Sequence, residues 1–451
     1  MSLRAGTAPV GARGLQGLRE DLAGRDLDLL RAWPRGPEHL LLHVRPTGAD
    51  REPGWVAAQW FADDARAAHV ARSSARSSRS GADSGATSGA SGRVRHLTGT
   101  GVVLQPGGAD RRLVGLPPLL LEPDTELVAH RPERRAVVRH RSRQVFTKVV
   151  PPERLDGLLT SAGWRPDGVD VPSVLAVDRV AGTVTTAALP GSTLHELDHP
   201  DAVAIGPFDR SRALVAWRAA GAAVAALHAG APPSQARSHG VADEVEVTRA
   251  WLERADRHGA LAPDRVAGWW SQALAAHRRL DAGRAAPAAT LHRDLHDKQV
   301  VVDGATGSAA VLDLDLVAIG EPALDLANLL VHLVLRDEQA ALVSGVSPQR
   351  APSRARAFLS GYGELPDPDR VRDLALLSAV RVAAVYAFRE PLSGPGHVGG
   401  PVPGRPGQPG QPGRPGRPGA HGRSASLSDG GGHELGERLV PAVAAGLAGV
   451  C

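Results

Sequence analysis

Residues 291–315 constrain the fold of this chain more than any other stretch. They contain two short apolar runs, Val300–Val302 and Ala309–Leu312. The segment between the runs begins with Asp303-Gly304, and an Asp-Gly turn between two apolar runs predicts a β-hairpin. The second run is apolar throughout, so we expect its strand to be buried.

Polar side chains flank this predicted hairpin on both sides. Asp294 and Gln299 precede its first strand, and Asp313 and Asp315 follow its second strand. A loop acid, a polar side chain five residues later and an acid at the end of the next strand can converge on one point. Phosphoryl transfer needs such a point, because a hydroxyl proton must be accepted and magnesium must be held by oxygen ligands.

The charge balance and the cysteine content limit the partners. The 52 basic residues nearly cancel the 48 acidic ones, and the formal net charge of +4 gives little support for nucleic-acid binding. The one cysteine, Cys451, permits no internal disulfide and no cysteine metal site. The sequence begins without a run that resembles a signal peptide, and no stretch is apolar enough to span a bilayer. We expect a cytoplasmic protein with no nucleic-acid or membrane partner; the sequence does not indicate the oligomeric state.

Lysine is rare in this chain, which has 50 arginines and only Lys148 and Lys298. A lysine therefore marks a candidate site for a compact point charge. Lys148 interrupts the apolar run Val145–Val150, where it either points to solvent on an edge strand or faces a cleft that holds an anion. Lys298 lies beside Gln299, and it either reaches a phosphate or an acidic substrate or points to solvent.

Periodicity and composition divide the chain into a β-rich half and a helical half. The Leu-Pro-Gly turn at 189–191 separates the two halves and predicts a hinge. We expect six segments: an N-terminal accessory segment (1–71), a Ser/Gly-rich linker (72–94), a β-rich small lobe (95–190), a helical large lobe (191–392), a disordered Pro/Gly-rich segment (393–433) and a C-terminal helix (434–451).

The first 120 residues either extend the sheet of the small lobe or form a separate cap. Within them, we expect a helix in Leu15–Trp33 and strands at His39–Val44, Trp55–Phe61, Gly101–Leu104 and Leu113–Leu121. In the helical half, the pair Trp269-Trp270 is expected to lie in the core.

Three short motifs resemble those of the aminoglycoside phosphotransferase family, within the protein-kinase-like superfamily. His292–Gln299 is similar to the family's His-Gly-Asp-Leu-His-x-x-Asn, Leu312–Asp315 to its Ile-Asp-Trp/Phe-Glu/Asp, and Gly320–Ala327 to its Gly-Asp-Pro-x-x-Asp-Leu-Ala. The resemblance covers roughly residues 125–390. It implies an α+β fold that is bilobal and protein-kinase-like, with a small antiparallel β lobe, a larger helical lobe and, in this chain, an N-terminal extension.

The resemblance also implies roles for the matching residues. Asp294 would accept or orient the hydroxyl proton of the acceptor, and Asp313 would bind Mg²⁺. Asp315 would contact a second metal ion or support the metal ligands without touching the metal; alternatively, it is a solvated acid. Lys148 would contact the α- and β-phosphates of ATP, and the backbone at Ala188 in the hinge would meet adenine.

Further positions depart from the family's pattern or support the site. Gln299 stands where the family has asparagine, and its amide oxygen would still ligate metal and assist nucleotide binding, with the loop slightly displaced. Asp325 would bond the backbone of the catalytic loop. The helix acid that pairs with Lys148 would be Glu153 or Asp156.

Two functional hypotheses from different classes follow. The first is an ATP-dependent, Mg²⁺-requiring kinase of a small hydroxylated molecule such as a sugar, an amino sugar or an amino alcohol. The second is a nucleotide-binding pseudokinase that acts as a regulatory or scaffold module, which Gln299 and the absence of a glycine-rich loop at residues 131–135 suggest. A protein kinase is disfavoured because no peptide-binding segment is apparent.

Overall fold

The computed structural model describes residues 14–47, 54–79, 93–198, 210–283, 286–347, 349–389 and 431–446. Within these ranges, two five-stranded antiparallel sheets come first, and a helical part with two three-stranded sheets follows. This order confirms the predicted α+β fold, with a small β lobe, a larger helical lobe and an N-terminal extension. The expected Pro/Gly-rich disorder falls almost wholly outside the described residues, as does most of the expected linker.

The N-terminal extension is a separate antiparallel sheet with two helices. Its strands are ordered β1-β2-β3-β5-β4. Helix α2 covers one face of the sheet, where Val70 contacts the small cluster around Phe61. The elements are α1 (Gly14–Ala23), β1 (Leu27–Gly36), β2 (His39–Pro46), β3 (Val56–Phe61), α2 (Asp64–Arg79), β4 (Arg95–Leu97) and β5 (Val102–Gln105).

The structure corrects the predicted helix in Leu15–Trp33. The helix ends at Ala23, and Asp26 turns the chain with a left-handed φ of 56° before β1 begins. Leu27 and Leu29 then face the core in alternation with half-buried residues, which is the two-residue period of a strand. The apolar positions of α1 are followed almost at once by those of the alternating strand β1. Together they mimic the spacing of one long helix.

Three further expectations in this region were wrong. The strands at residues 95–105 pair with β3 of the extension, whereas we expected them in the small lobe. Helix α2 reaches Arg79, so residues 72–79 are helical and not linker. Leu116–Leu121 is a short helix, α3, where a strand was expected, because consecutive prolines near its start favour a first helical turn.

The small lobe is built on the second antiparallel sheet, with strands ordered β6-β7-β8-β10-β9. In β8, Val145, Thr147 and Val149 are buried, and Lys148 is half-buried on the opposite face. This alternation directs Lys148 towards the helical lobe. The elements are β6 (Thr125–Arg131), β7 (Arg135–His140), β8 (Val145–Val149), α4 (Leu155–Ala162), β9 (Val174–Asp178) and β10 (Thr183–Ala187).

The hinge leads directly onto the predicted hairpin of the large lobe. Gly191 has a φ of 105°, and a Cβ atom there would lie 2.2 Å from the carbonyl oxygen of Val302, so only glycine fits this crossing. Ser192–Thr193, strand β11, then pairs with the hairpin. The hairpin itself is formed as predicted, with Val300–Val302 antiparallel to Ala309–Val311.

The large lobe is mostly helical around one continuous core. Trp269 and Trp270 are buried in it, as expected, and the C-terminal helix docks on it through buried leucine and valine side chains. The remaining elements are α5 (Leu194–Leu197), α6 (Arg210–Ala229), β12 (Arg237–Ser238), α7 (Val241–Arg257), α8 (Pro263–Ala282), β13 (Ala289–Leu291), β14 (Val300–Val302), β15 (Ala309–Val311), β16 (Ala318–Gly320), α9 (Ala323–Ser344), α10 (Ala351–Tyr362), α11 (Pro368–Tyr386) and α12 (Gly431–Gly446).

The extension contacts both lobes. The Ala32 N–H donates to the carbonyl of Phe388 in the large lobe at 2.8 Å. The His43 ring donates to the carbonyl of His130 in the small lobe at 2.7 Å. Of the two alternatives for the N-terminal residues, the structure thus shows a separate unit that lies against both lobes. None of the helices in the described ranges is long and apolar enough to cross a membrane.

Candidate active site

The catalytic loop, residues 292–299, is held by a buried aspartate on the helix that follows the hairpin. Asp325 accepts the backbone N–H of His292 at 2.6 Å and that of Arg293 at 2.7 Å. It also accepts a hydrogen bond from His228 Nε2 at 3.1 Å. Burial opposes ionisation of Asp325, but these donors outweigh it and lower its pKa. The carboxylate therefore ties the start of the loop to helix α9.

His292 and Arg293 fix the local shape of the loop. His292 Nε2 donates to the carbonyl of Leu312 at 2.8 Å, which leaves Nδ1 to accept the Asp294 N–H at 3.3 Å. One tautomer satisfies both bonds, so His292 joins the loop to the end of the hairpin. Arg293 has a φ of 70° in the left-handed region. A side chain in this region adds strain, and the bond from the Arg293 N–H to Asp325 holds the backbone there.

A second buried network supports the middle of the loop. The Asn328 amide donates to the carbonyl of Leu295 at 2.9 Å, and Arg381 donates to the Asn328 oxygen at 2.8 Å. Arg381 in turn contacts Glu244, which also accepts a hydrogen bond from His239 Nε2 at 3.1 Å. Three helices thereby converge on one carbonyl of the catalytic loop.

This network makes stability depend on pH. Burial opposes ionisation of Glu244, but Arg381 and then His239 outweigh it and lower its pKa from 4.5 to about 2. A depressed pKa contributes stability above the ordinary value, and that stability is lost as pH falls from about 4.5 to about 2. We expect Glu244→Gln to remove roughly 3 kcal/mol at neutral pH, from about 1.4 kcal/mol per pKa unit, and to flatten the loss on acidification.

Urea unfolding at a series of pH values tests this prediction. Glu246→Gln is the matched control, because Glu246 is exposed on the same helix. An unfolding free energy for Glu244→Gln that stays parallel to that of the wild type through the acid range would contradict the prediction.

Lys148 meets two carboxylates across the cleft between the lobes. Its ammonium lies 2.6 Å from Asp313 Oδ1 and 2.8 Å from each carboxylate oxygen of Asp315. Arg135 Nη1 lies 3.6 Å from Asp315 Oδ2. Of the two readings of Lys148, an edge-strand lysine in solvent and a lysine that faces a cleft, the structure shows the second.

The two carboxylates differ in their ionisation. Burial opposes ionisation of Asp313, but Lys148 and then Arg135 hold its pKa well below the usual range. Burial raises the pKa of Asp315, and the neighbouring charge of Asp313 raises it further. Because the two acids share one ammonium, Asp313 is the carboxyl that ionises more readily. Asp313 also has a left-handed φ of 54°, which turns the chain sharply just after the hairpin.

The helix acids that we expected beside Lys148 lie elsewhere. Glu153 contacts Arg112, and Asp156 lies 2.6 Å from Arg179. Both pairs are on the surface, so neither acid reaches the lysine. Asp313 and Asp315 occupy the position at the ammonium that the helix acid was expected to fill.

Other predicted site residues lie around this centre. The Gln299 carbonyl accepts the Leu312 N–H at 2.8 Å, which joins the catalytic loop to the strand that precedes Asp313. The Ala188 N–H donates to the Gln144 carbonyl at 2.9 Å, so this hinge N–H is already satisfied. Among the described residues, no group of three or more His, Cys, Asp or Glu side chains is arranged to hold a metal ion.

Asp294 and Asp313 lie near the same cation, Arg131, at the end of β6. Burial lowers the pKa of Arg131 to about 10, and the charges of Asp294 and Asp313 oppose that shift. Residues 131–135 contain no glycine-rich loop that could bind phosphates through its backbone. They present arginine side chains to the acids instead.

Sequence reasoning missed two arginines on which the charge of Asp294 acts, Arg31 and Arg389, and the tyrosine next to them, Tyr386. Arg389 lies over the Tyr386 ring at 3.6 Å, and Arg31 forms a backbone bridge with Arg389. Arginine is too common in this chain to mark a site. Tyr386 is one of only two tyrosines in the chain, and this rarity could have marked it as a candidate site residue.

A bilobal fold whose small-lobe lysine meets acids that follow a catalytic loop defines a kinase-like phosphotransferase. Residues 121–374, more than half of the chain, match the APH family, described as a phosphotransferase enzyme family. The chain belongs to this family. The family consists of phosphotransferase enzymes, so the class of reaction to which this chain belongs is phosphoryl transfer.

Solved structures similar to this chain include three small-molecule kinases. An aminoglycoside phosphotransferase from Streptomyces rimosus, in complex with ADP and streptomycin, is 19% identical over 55% of this chain and 90% of its own, with a TM-score of 0.40. A choline/ethanolamine kinase family protein from Mesorhizobium loti is 16% identical over 60% and 81%, with a TM-score of 0.40. A macrolide 2'-phosphotransferase from Brachybacterium faecium is 20% identical over 59% and 91%, with a TM-score of 0.37. No curated protein matches the chain significantly.

Proposed function

We propose that this chain transfers the γ-phosphate of ATP to a hydroxyl of a small molecule, with Asp294 as the base and Mg²⁺ as the metal. The observation that carries the proposal is the contact of Lys148 with Asp313 and Asp315 across the cleft. A lysine from one lobe and two acids from the other are the groups that phosphates and their metal require, and here they share one place.

The chemistry assigns one task to each group. Asp294 accepts the acceptor's hydroxyl proton while the hydroxyl oxygen bonds to the γ-phosphorus. The bond from the γ-phosphorus to the oxygen that bridges to the β-phosphate breaks, and ADP leaves with those electrons. Asp313, with Gln299 and Asp315, would hold Mg²⁺, which neutralises the phosphates, and Lys148 would move from the carboxylates to the α- and β-phosphates.

The nucleotide would enter from the hinge. The N–H of Ala188 is bonded to Gln144, so we propose that adenine meets the Ala188 carbonyl instead. The lobes on either side would be residues 106–190, shortened by the strands that belong to the extension, and residues 191–389, with the C-terminal helix packed on the latter.

A pseudokinase is the second candidate, and one observation favours it. Both carboxylates that would bind metal are occupied by Lys148, so the same contact that resembles a catalytic centre also resembles a permanently closed ion pair. In that case, ATP would bind without a metal requirement and no acceptor would be phosphorylated.

Thermal unfolding separates the two candidates. For a kinase, ATP with MgCl₂ at a hundredfold excess over Kd should stabilise the protein by roughly 2.7 kcal/mol relative to the unliganded chain. ATP alone should raise Tm by less. Asp313→Asn should lose the part that depends on magnesium, whereas Asp21→Asn, an exposed acid on α1, should behave as the wild type.

A screen of a metabolite library for ADP release completes the test. Magnesium-dependent stabilisation together with ADP release in the presence of a hydroxylated metabolite supports the kinase. Equal stabilisation by ATP with and without magnesium, and no ADP release above the background of Asp294→Asn, would instead show that the chain is a pseudokinase.

A further inference from the structure

A cluster of cations lies around Tyr386 and Trp33, close to the proposed base. We call it the basic cluster, and it comes from five separate parts of the chain: Arg31 in β1, Arg131 at the end of β6, Lys298 in the catalytic loop, Arg336 in α9 and Arg389 just after α11.

Backbone and ring contacts fix the positions of three members. Arg31 and Arg389 form an antiparallel bridge, and the neighbouring Ala32 N–H donates to the Phe388 carbonyl at 2.8 Å. The guanidinium carbons of Arg31 and Arg131 lie 4.4 Å and 5.2 Å from the ring centre of Trp33. The extension thereby carries Arg31 into the cleft between the lobes.

Only one member of the basic cluster has a carboxylate partner among the described residues. Arg336 donates to both oxygens of Asp297, at 2.7 Å and 2.9 Å. The other four form no ion pair with a described acid. In addition, the Arg389 Nε atom is buried and has no hydrogen-bond partner in the part of the chain that the structure describes.

The charge of Asp294 acts on Arg31 and Arg389, which are joined by the backbone bridge. Burial lowers the pKa of Arg31 and of Arg389, and in both cases the charge of Asp294 opposes the shift. Burial would raise the pKa of the Tyr386 phenol, but the surrounding cations lower it to about 8. In order of effect, these cations are Arg389, Arg336, Arg31 and Lys298.

Buried cations that form no ion pair are costly, and a protein that keeps several of them close to a reactive acid has a use for them when a ligand supplies further negative charge. The triphosphate accounts for Lys148, and Arg131 lies near Asp313 as well as Asp294. Arg31, Arg389 and Lys298 instead lie around Tyr386, and the charge of Asp294 acts on Arg31 and Arg389.

We infer that the acceptor is an anionic molecule, a hydroxylated carboxylate or phosphate ester, whose acidic group is bound by Arg31, Arg389 and Lys298 while its hydroxyl faces Asp294. This inference rests on the proposed kinase function and specifies its substrate class. A cationic amino sugar or amino alcohol would meet like charges at every one of these three residues.

Calorimetry on the full chain tests the charge preference. With AMP-PNP and MgCl₂ saturating the nucleotide site, compounds are titrated in matched sets: glucose 6-phosphate, glucuronate, glucose and glucosamine; and glycerol 3-phosphate, glycerate, glycerol and serinol. We expect the anionic member of at least one set to bind at least tenfold more tightly than the neutral one. The phosphate and carboxylate arms identify which acidic group fits.

Arg31→Gln and Arg389→Gln should each abolish that preference and leave AMP-PNP affinity unchanged. Arg35→Gln is the matched control, since Arg35 is exposed on the same strand as Arg31. If no set shows a preference for the anion, or if a cationic member binds most tightly, the inference is wrong even though AMP-PNP binds. A chain that fails to bind AMP-PNP at all contradicts the proposed function itself.

Discussion

Asp294→Asn is expected to lower kcat by a factor of about 10²–10⁴, the usual contribution of a positioned general base. Asparagine keeps the size and the loop position of the aspartate but cannot take up a proton. The affinity for AMP-PNP should be almost unchanged, because Lys148 contacts Asp313 and Asp315 and not Asp294. ADP release with an acceptor found by the library screen measures the first effect, and calorimetry measures the second.

Asp21→Asn, on the surface of α1, controls for the general effect of removing an acid. If Asp294→Asn turned over at the rate of this control, Asp294 would not be the base. If the variant lost AMP-PNP affinity along with turnover, the defect would lie in folding or nucleotide binding, and the thermal unfolding curve would separate these two.

The hairpin and its flanking acids could be predicted because they depend on local pattern. Two short apolar runs and an Asp-Gly turn determine the hairpin within about twelve residues, and Asp313 then follows from its position after the second strand. Lys148 could be singled out because lysine is so rare in this chain. These inferences needed no knowledge of distant contacts.

The partners of these residues could not be predicted, because they come from remote parts of the chain. Asp315 follows Lys148 by 167 residues, and we expected a nearby helix acid in its place. The charge of Asp294 acts on Arg31 because β1 is bridged to Arg389 across the fold. A sequence with 50 arginines gives no sign of which of them are buried beside an acid.

Helix and strand were confused where two patterns join without a strong break. Leu27–Gly36 alternates like a strand, but it follows α1 after a turn of only a few residues, and the combined stretch mimics one long helix. Leu116–Leu121 is apolar enough for a strand, yet its prolines start a helix. Short apolar runs do not by themselves distinguish the two structures.

Asp325→Ala is expected to destabilise the protein and to inactivate it together. The variant leaves the N–H groups of His292 and Arg293 without their acceptor in a fully buried place, and it also removes the partner of His228. Buried donors left unsatisfied cost about 1–3 kcal/mol each, so we expect a loss of roughly 3 kcal/mol or more in the free energy of unfolding, measured with urea.

Asp264→Ala is the matched control, because Asp264 and Asp325 are both acids in the first turn of a long helix, and Asp264 is exposed. Both variants lose a favourable charge at the helix start, which is worth only about 0.3–1 kcal/mol. The difference between them therefore isolates the bonds to the catalytic loop. Because those bonds also position Asp294, kcat should fall at least a hundredfold in the still-folded fraction of Asp325→Ala. Equal stability and equal kcat in the two variants would show that the loop keeps its shape without Asp325.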